Sequence, residues 1–251
     1  MISPLLWATR PPHQNAPWQK QLATLGDTLA LPLMAIQPVS SQVDLQAIKN
    51  NVMDLDQFPH VIFVSQNAVA HAFDAFDRYW PQLPVGVNFY AVGSKTAEAV
   101  RNRGLEVIEC GEAMNSEALL ALPSLQKVGG DKVLICRGKG GRPLLASTLE
   151  NRGALVSICE LYHRVLPNTA KAQLAALPAQ KHHIIPLFSG ETLHNLVTAL
   201  PDGFDRRAAR IVVPTQLAAD AAVDAGFVHV KVASNASQDA MLNATRQCLN
   251  P

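Results

Sequence analysis

Two stretches of this chain repeat each other in pattern. Phe89–Gly104 (FYAVGSKTAEAVRNRG) and Ile211–Gly226 (IVVPTQLAADAAVDAG) each run from a short apolar segment through a polar corner and an Ala-rich helical stretch to a closing glycine. The likeness continues from Glu106 to Leu120 and from Val228 to Leu242: strand pattern, polar turn, apolar helix. A second pair agrees. His60–Val69 and Ile184–Leu193 are both apolar runs that reach a serine, Ser65 or Ser189, and then open a helix. Two like folding units are therefore expected, with their Ser- and Gly-bearing strand ends turned toward one small-molecule cleft.

The length of 251 residues suits this reading, since each unit of roughly 100 to 150 residues can bury a core of its own. A net charge of +1 and 16% charged residues exclude a polyelectrolyte face for nucleic acid, so any anionic ligand has to be held by local groups. No segment approaches about 18 uninterrupted apolar residues, and no charged leader precedes a long apolar stretch, so no membrane partner and no secretion are expected. The four cysteines, Cys110, Cys136, Cys159 and Cys248, form no CxxC pair and have no zinc-like histidine spacing. A reduced, cytoplasmic protein is expected.

Val/Ile/Leu runs alternate with Ala/Leu-rich helical stretches, the pattern of doubly wound parallel sheets covered on both faces. Strands are expected at Pro4–Thr9, Leu29–Leu33, Val61–Val64, Asn88–Val92, Glu106–Glu109, Lys132–Cys136, Ala154–Leu161, His183–Phe188, Ile211–Pro214 and His229–Val232. Helices are expected at Trp18–Leu25, Ala68–Phe76, Ser94–Arg103, Ser116–Ala121, Leu144–Arg152, Thr169–Ala176, Thr192–Ala199, Leu217–Ala225 and Gln238–Cys248, with loop breaks at Pro38–Gln42, Pro81–Pro84, Pro123–Gly130 and Pro201–Arg206. The first segment is expected to pack with the C-terminal part, giving one discontinuous domain from residues 1–36 and 166–251. Residues 39–162 form an inserted domain, and 36–39 and 162–166 are the linkers.

The densest chemical cluster is Arg137-Gly138-Lys139-Gly140-Gly141-Arg142, between a strand and a helix. Glycine amides, a helix N-terminus and three cations suit a carboxylate or phosphate, and a solvated basic turn is the competing reading. The spacing matches neither nucleotide fingerprint, GxGxxG or GxxxxGK[ST]. Thr9-Arg10 follows the first strand, with Arg10 either gripping an anion at the strand tip or lying on the surface. Ser65-Gln66-Asn67, Gly93-Ser94-Lys95-Thr96, Ser189-Gly190 and Thr215-Gln216 are further strand-to-helix corners. Each offers hydroxyls and amides, and each would look the same as a plain helix cap. Tyr162, in LYHR with Arg164, ends a strand; it is either a buried aromatic or a phenol that donates a proton to a leaving oxygen. His13, His60, His71, His182, His183, His194 and His229 show no HExxH spacing, no GxSxG serine is present, and no metal ligands are expected.

With these corners quoted, the chain resembles the uroporphyrinogen-III synthase family in its bacterial form. The matching pieces are TRP (Thr9–Pro11), VIFVSQNAV ending at Val69, AVGSKTAEAV (Ala91–Val100), RGKGGR with LLASTLENRGALV (Arg137–Val156), LYHR (Leu161–Arg164), LFSGETLHNL (Leu187–Leu196) and ASNASQDAML (Ala233–Leu242). The resemblance implies two flavodoxin-like, doubly wound parallel-sheet domains joined by a two-stranded linker, with an active-site cleft between them. It implies no cofactor, a monomer, and hydroxymethylbilane as the small-molecule substrate, leaving only transient contact with neighbouring tetrapyrrole-pathway enzymes as a further partnership. Tyr162 is then the acid-like catalytic residue. Thr9, Arg10, Ser65, Asn67, Gly93, Ser94, Thr96, Arg137, Gly138, Lys139, Gly140, Gly141, Arg142, Arg164, Ser189, Gly190 and Thr215 are then the substrate-binding residues. The family arginine of the last corner is replaced here by Leu217, with Arg210 or Lys231 as the cations that could substitute for it. The alternatives are a non-catalytic two-lobed binding or sensor protein for a tetrapyrrole-like polyanion, and a two-lobed nucleotide-sugar transferase, which lacks its acidic ribose-binding residue.

Overall fold

In the computed structural model, which describes residues 4–110, 115–177 and 182–249, the chain forms two compact units. One comprises Met1–Ala35 with Val165–Pro251, the other Ile36–Arg164. The first contains a five-stranded parallel sheet built from β1 (Leu5–Ala8), β2 (Asp27–Ala30), β9 (His183–Pro186), β10 (Arg210–Val213) and β11 (His229–Val232), in the order β11-β10-β9-β1-β2. Numbered within the unit this is 2-1-3-4-5, the flavodoxin-like order.

The second unit contains β4 (His60–Phe63), β5 (Asn88–Ala91), β6 (Ile108–Glu109), β7 (Lys132–Gly138) and β8 (Leu155–Val165), with β3 (Ala35–Pro38) at one edge, in the order β3-β8-β7-β4-β5-β6. The pairings that join β4 through β8 are all parallel. The repeat found in the sequence is here a three-strand wing, β4-β5-β6 in one unit and β9-β10-β11 in the other. Part of it, 111–114, lies outside the described residues. What differs is where the other two strands come in the chain: β1 and β2 precede their wing, whereas β7 and β8 follow theirs. The second unit therefore keeps the flavodoxin-like arrangement in space with its chain order permuted.

The central strands of each sheet feed two cores. Leu5, Trp7, Ile185, Leu187, Ile211 and Val213 face one side of the first sheet, and Leu6, Ala8, Ile184 and Val212 face the other. In the second sheet Val61, Phe63, Phe89, Leu134 and Cys136 face one side and Ile62, Tyr90, Val133 and Ile135 the other. Burial on both faces is why the strands read as continuous apolar runs rather than as alternation.

The helices that follow the wing strands begin alike. Ser65 caps α3 (Gln66–Tyr79) and Ser189 caps α9 (Gly190–Ala199), each side-chain oxygen accepting the amide of the third following residue, Ala68 or Thr192. Apolar residues at helical spacing then turn inward, such as Val69, Ala72, Phe73 and Phe76 in α3. Gly104 and Gly226, which close the repeated helices α4 (Ser94–Arg101) and α10 (Gln216–Asp224), take φ of 77° and 93°, the left-handed region open to glycine.

Several elements escaped the sequence pattern, among them a short helix, Pro123–Gln126, inside the expected loop break Pro123–Gly130, where Pro123 opens the first turn and Leu125 is buried. β3 carries no strand pattern of its own and overlaps the linker expected at 36–39 and the loop break expected at Pro38–Gln42; it is tied to β8 by the Val39 amide donating to the Leu161 carbonyl at 3.2 Å. α2 (Gln42–Met53) buries only Val52 and leaves Val43, Leu45 and Met53 exposed, so it carries no apolar stripe to read. α1 (Pro12–Leu22) starts earlier than its apolar residues suggest because Pro12 occupies the first turn, where its missing N–H costs nothing.

Phe63 is fully buried on the central strand of the second unit, with Phe73 and Phe89 stacked at centroid distances of 6.0 and 6.1 Å. Phe63→Ala should lower the unfolding free energy of that unit by about 3–5 kcal/mol in urea titration, and a loss below about 1 kcal/mol would contradict this packing.

Candidate functional site

All the candidate residues of the second unit lie at the C-terminal ends of its parallel strands, the edge at which open α/β sheets bind ligands. Ser65 and Asn67 follow β4; Gly93, Ser94 and Thr96 follow β5; Arg137 to Arg142 end β7 and its turn; Tyr162 and Arg164 close β8. The centre of the group is a hydrogen bond of 2.9 Å between the Tyr162 hydroxyl and Ser65 Oγ. It joins β8 to the end of β4 although β7 runs between them. The Tyr162 ring crosses β7 at Gly138, where a Cβ would stand 2.5 Å from Cε2 and 2.7 Å from Cζ of the ring. Only glycine leaves that passage open. The register between β7 and β8 shifts at this point, pairing Gly138 with Tyr162, and the Lys139 amide donates to the Tyr162 carbonyl at 2.8 Å.

Tyr162 is 2% exposed, with the His71 ring 5.5 Å away, so its phenol is shielded from bulk water. Ser65 Oγ already accepts the Ala68 amide at 3.1 Å. Either hydroxyl can donate in the pair, and when Ser65 donates to the phenol oxygen the phenol proton is left for another acceptor.

The Arg137–Arg142 turn is more occupied than its sequence suggests. Arg137 pairs with Glu160 at 3.1 Å and also donates to the carbonyl of Gly141 at 3.2 Å. The Gly140 amide donates to the same Glu160 oxygen at 3.3 Å. Lys139 pairs with Asp44 of α2 at 3.3 Å, and a hydrogen bond from Ser41, then this pair, holds the Asp44 carboxyl below the usual carboxylate range. Beside the turn lies a pocket of about 310 Å³ with Val64 and Ile135 among its apolar walls and Arg137, Gly140, Arg142 and Arg164 on its polar side. Among the described residues, no Asp or Glu lines it.

In the first unit the candidates again sit at C-terminal strand ends. Arg10 follows β1, its guanidinium 4.4 Å over the Phe188 ring and donating to Gln14 at 2.6 Å and Gln238 at 3.3 Å. No carboxylate is among these partners, and burial pulls the Arg10 pKa below its ordinary value. Ser189 caps α9 and meets Thr192 Oγ1 at 2.9 Å, while Gly190 opens that helix and Thr215 caps α10. Thr9 is fully buried and its hydroxyl donates to the Pro186 carbonyl, so it ties β1 to β9. Thr96 is likewise buried, while Ser94 is exposed on the same turn of α4.

Neither cation offered in place of the missing arginine at Leu217 reaches that corner. Arg210 begins β10 and donates to the Cys248 carbonyl, at the opposite end of the strand from Thr215, and Lys231 lines the same concavity as Arg210. Sequence reasoning missed Glu160 and Asp44. Glu160 was accessible in principle, since the parallel register sets it directly opposite Arg137, whereas Asp44 sits on the unread helix α2. The paired thiols of Cys136 and Cys159 supply no nucleophile: a hydrogen bond from Cys159, then burial, pushes Cys136 well up from its ordinary pKa. Among the described residues, no group of three or more His, Cys, Asp and Glu could hold a metal ion, and no helix is long and apolar enough to cross a membrane.

Hydroxyls, amides and arginines gathered at the C-terminal tips of doubly wound parallel sheets define a class, that of α/β proteins handling a small anionic organic molecule. Comparison with known proteins narrows it. The family model described as Uroporphyrinogen-III synthase HemD matches residues 18–243. The uroporphyrinogen-III synthase of Escherichia coli (strain K12) is 33% identical over 245 residues, spanning 94% of this chain and 97% of that protein. Its Salmonella typhimurium counterpart is 34% identical over the same shares. Among solved structures, the fold is shared with the Helicobacter pylori enzyme (TM-score 0.66, 17% identity, 98% of this chain and 100% of that one) and with a mutant of the Thermus thermophilus enzyme (TM-score 0.64, 18% identity, 98% of each chain). The chain belongs to the uroporphyrinogen-III synthase family, a family of cyclising lyases of haem biosynthesis.

Gly138→Ala should cost about 1–3 kcal/mol of stability by forcing the Tyr162 ring aside, as overpacking does elsewhere. In a Tyr162→Ser background most of that cost should vanish. An equal cost in both backgrounds, measured by denaturant unfolding, would contradict the assignment of Gly138 to this passage.

Proposed function

We propose that this protein is a uroporphyrinogen-III synthase, closing hydroxymethylbilane with loss of water and inversion of ring D. The single observation that carries the assignment of roles is the Tyr162–Ser65 hydrogen bond at the strand tips of the second unit.

The chemistry makes modest demands on the protein. Departure of the terminal hydroxyl leaves an azafulvene cation. The substituted carbon of ring D attacks it to give a spiro intermediate, and fragmentation with reclosure turns the ring over. Electron-rich pyrroles supply most of the drive, so the protein's tasks are to assist the departure of hydroxide and to hold the folded geometry. Tyr162 does the first: with Ser65 donating to its oxygen, the phenol gives its proton to the leaving hydroxyl, and water is released.

Holding falls to the strand-tip donors. Arg10 carries a charge that none of its described partners neutralises, which suits it to a substrate acetate or propionate. Arg142 and Arg164 line the pocket in the second unit, which has no Asp or Glu among its described lining residues. Ser94, Asn67, Gly93, Ser189, Gly190 and Thr215 contribute hydroxyls and amides at the corners. Thr9 and Thr96 act from within, through the strand and helix they fix. The protein works as a cytoplasmic monomer on this free small molecule, and contact with neighbouring pathway enzymes is confined to handing over product.

Incubation with hydroxymethylbilane should yield uroporphyrinogen III. Recovery of uroporphyrinogen I alone, as forms without protein, would remove the assignment. Tyr162→Phe should lower kcat by about ten- to a hundred-fold, the scale of losing one proton donor. An unchanged kcat would reduce Tyr162 to a packing residue.

A further inference from the structure

The permuted architecture sets Arg10 and Arg137 at the same place in their respective sheets. Ser65 and Ser189 end equivalent strands, and each stands five residues past the residue, His60 or Ile184, that pairs with the neighbouring central strand at Val133 or Leu6. Four residues along from these lie Arg137 and Arg10. Both arginines therefore leave the tip of the strand beside the wing, at the point where the winding of an open sheet reverses and ligands collect.

Their surroundings differ in one respect. Arg137 faces Glu160 across the β7–β8 register. In the first unit β1 pairs with β2 as far as Ala8 with Ala30, and counting on along the two chains brings Arg10 opposite Pro32. Among the described residues, one arginine has a built-in carboxylate and its counterpart has none. The Glu160 oxygen also takes the Gly140 amide, so a single carboxylate fills the two donors that a glycine-rich turn would offer to a bound anion.

We propose that Glu160 is a stand-in for a substrate carboxylate: it fills the anion seat made by Arg137 and the Gly140 amide, and a carboxylate of the substrate binds there by displacing it. This rests on the functional reading above. Displacement exchanges one carboxylate for another, so the Arg137 guanidinium, 13% exposed, is never left without a counter-charge, and Glu160, 27% exposed, already has an edge in water. The released Glu160 can turn along the open groove that it lines with Ile48, Asn51 and Ile158, a groove that Arg137 and Asp44 also border. The arriving carboxylate reaches this seat from the pocket that Arg137, Gly140 and Arg142 line. Glu160 thereby sets how strongly the second unit discriminates a carboxylate-bearing pyrrole from an uncharged one.

The test is Glu160→Gln, which keeps an oxygen acceptor for Arg137 and Gly140 and removes the competing charge. Calorimetric titration uses a monopyrrole carrying one acetate and one propionate, with its dimethyl ester as control. The Kd of the diacid should fall about fivefold, the scale of one partly screened ion pair, while the ester is unaffected. The KM for hydroxymethylbilane should fall in parallel. A diacid Kd that is unchanged or raised would overturn the proposal, and so would equal tightening of acid and ester. Glu160→Ala, read in the same way, decides the matter should the glutamine variant fail to fold. The titration stands apart from turnover: a parent protein that yields only uroporphyrinogen I defeats the functional reading, while the acid-over-ester difference still reports on the seat.

Discussion

The Tyr162 side chain passes over one strand to reach another, and the site depends on that crossing. Its hydroxyl meets Ser65 at 2.9 Å because β7 presents no side chain at Gly138, and because the register slip at Arg137/Gly138 brings Tyr162 level with the gap. The serine in turn is fixed by the Ala68 amide of the helix it caps. Strand, bulge, glycine and helix cap thus converge on one phenol without any group of unusual reactivity. This is the economy expected of a reaction whose reactant is already activated, where placement matters more than nucleophilic or acidic strength.

The duplicated wing explains why the same devices occur twice, and the permutation explains why they are not equivalent. Both units carry a serine-capped helix after the first wing strand and an arginine after the adjacent central strand. In the first unit the arginine rests on Phe188 and two neutral amides; in the second it is neutralised by Glu160 and drawn into the turn by the Gly141 carbonyl. A basic, glycine-rich turn is therefore no sure sign of an open anion site. What decides is whether the neighbouring strand supplies its own carboxylate.

Much of this was legible in the sequence for a definite reason. Strands buried on both faces announce themselves as apolar runs, and Ser65, Ser189 and Thr215 mark the helix starts that follow them. α2 was not legible because its inward face is nearly devoid of large apolar residues, and β3 was hidden by the proline that ends it. The roles of single residues were less legible still. Thr9 and Ser65 look alike as strand-end hydroxyls, yet one is spent on the Pro186 carbonyl and the other meets the phenol. Arg210 looked able to replace a missing cation until the direction of β10 set it at the wrong end of the sheet. Such distinctions lie in register and strand direction, which a linear pattern does not carry.

The central claim is that Ser65 and Tyr162 act as one unit on the leaving hydroxyl, and a double-mutant cycle on kcat/KM with hydroxymethylbilane tests it most directly. Ser65→Ala, Tyr162→Phe and the double variant are compared with the parent. If the serine works by orienting the phenol, the double variant should lose little more than the worse single variant, well short of the product of the two losses. Losses that multiply would show two independent residues and contradict the account.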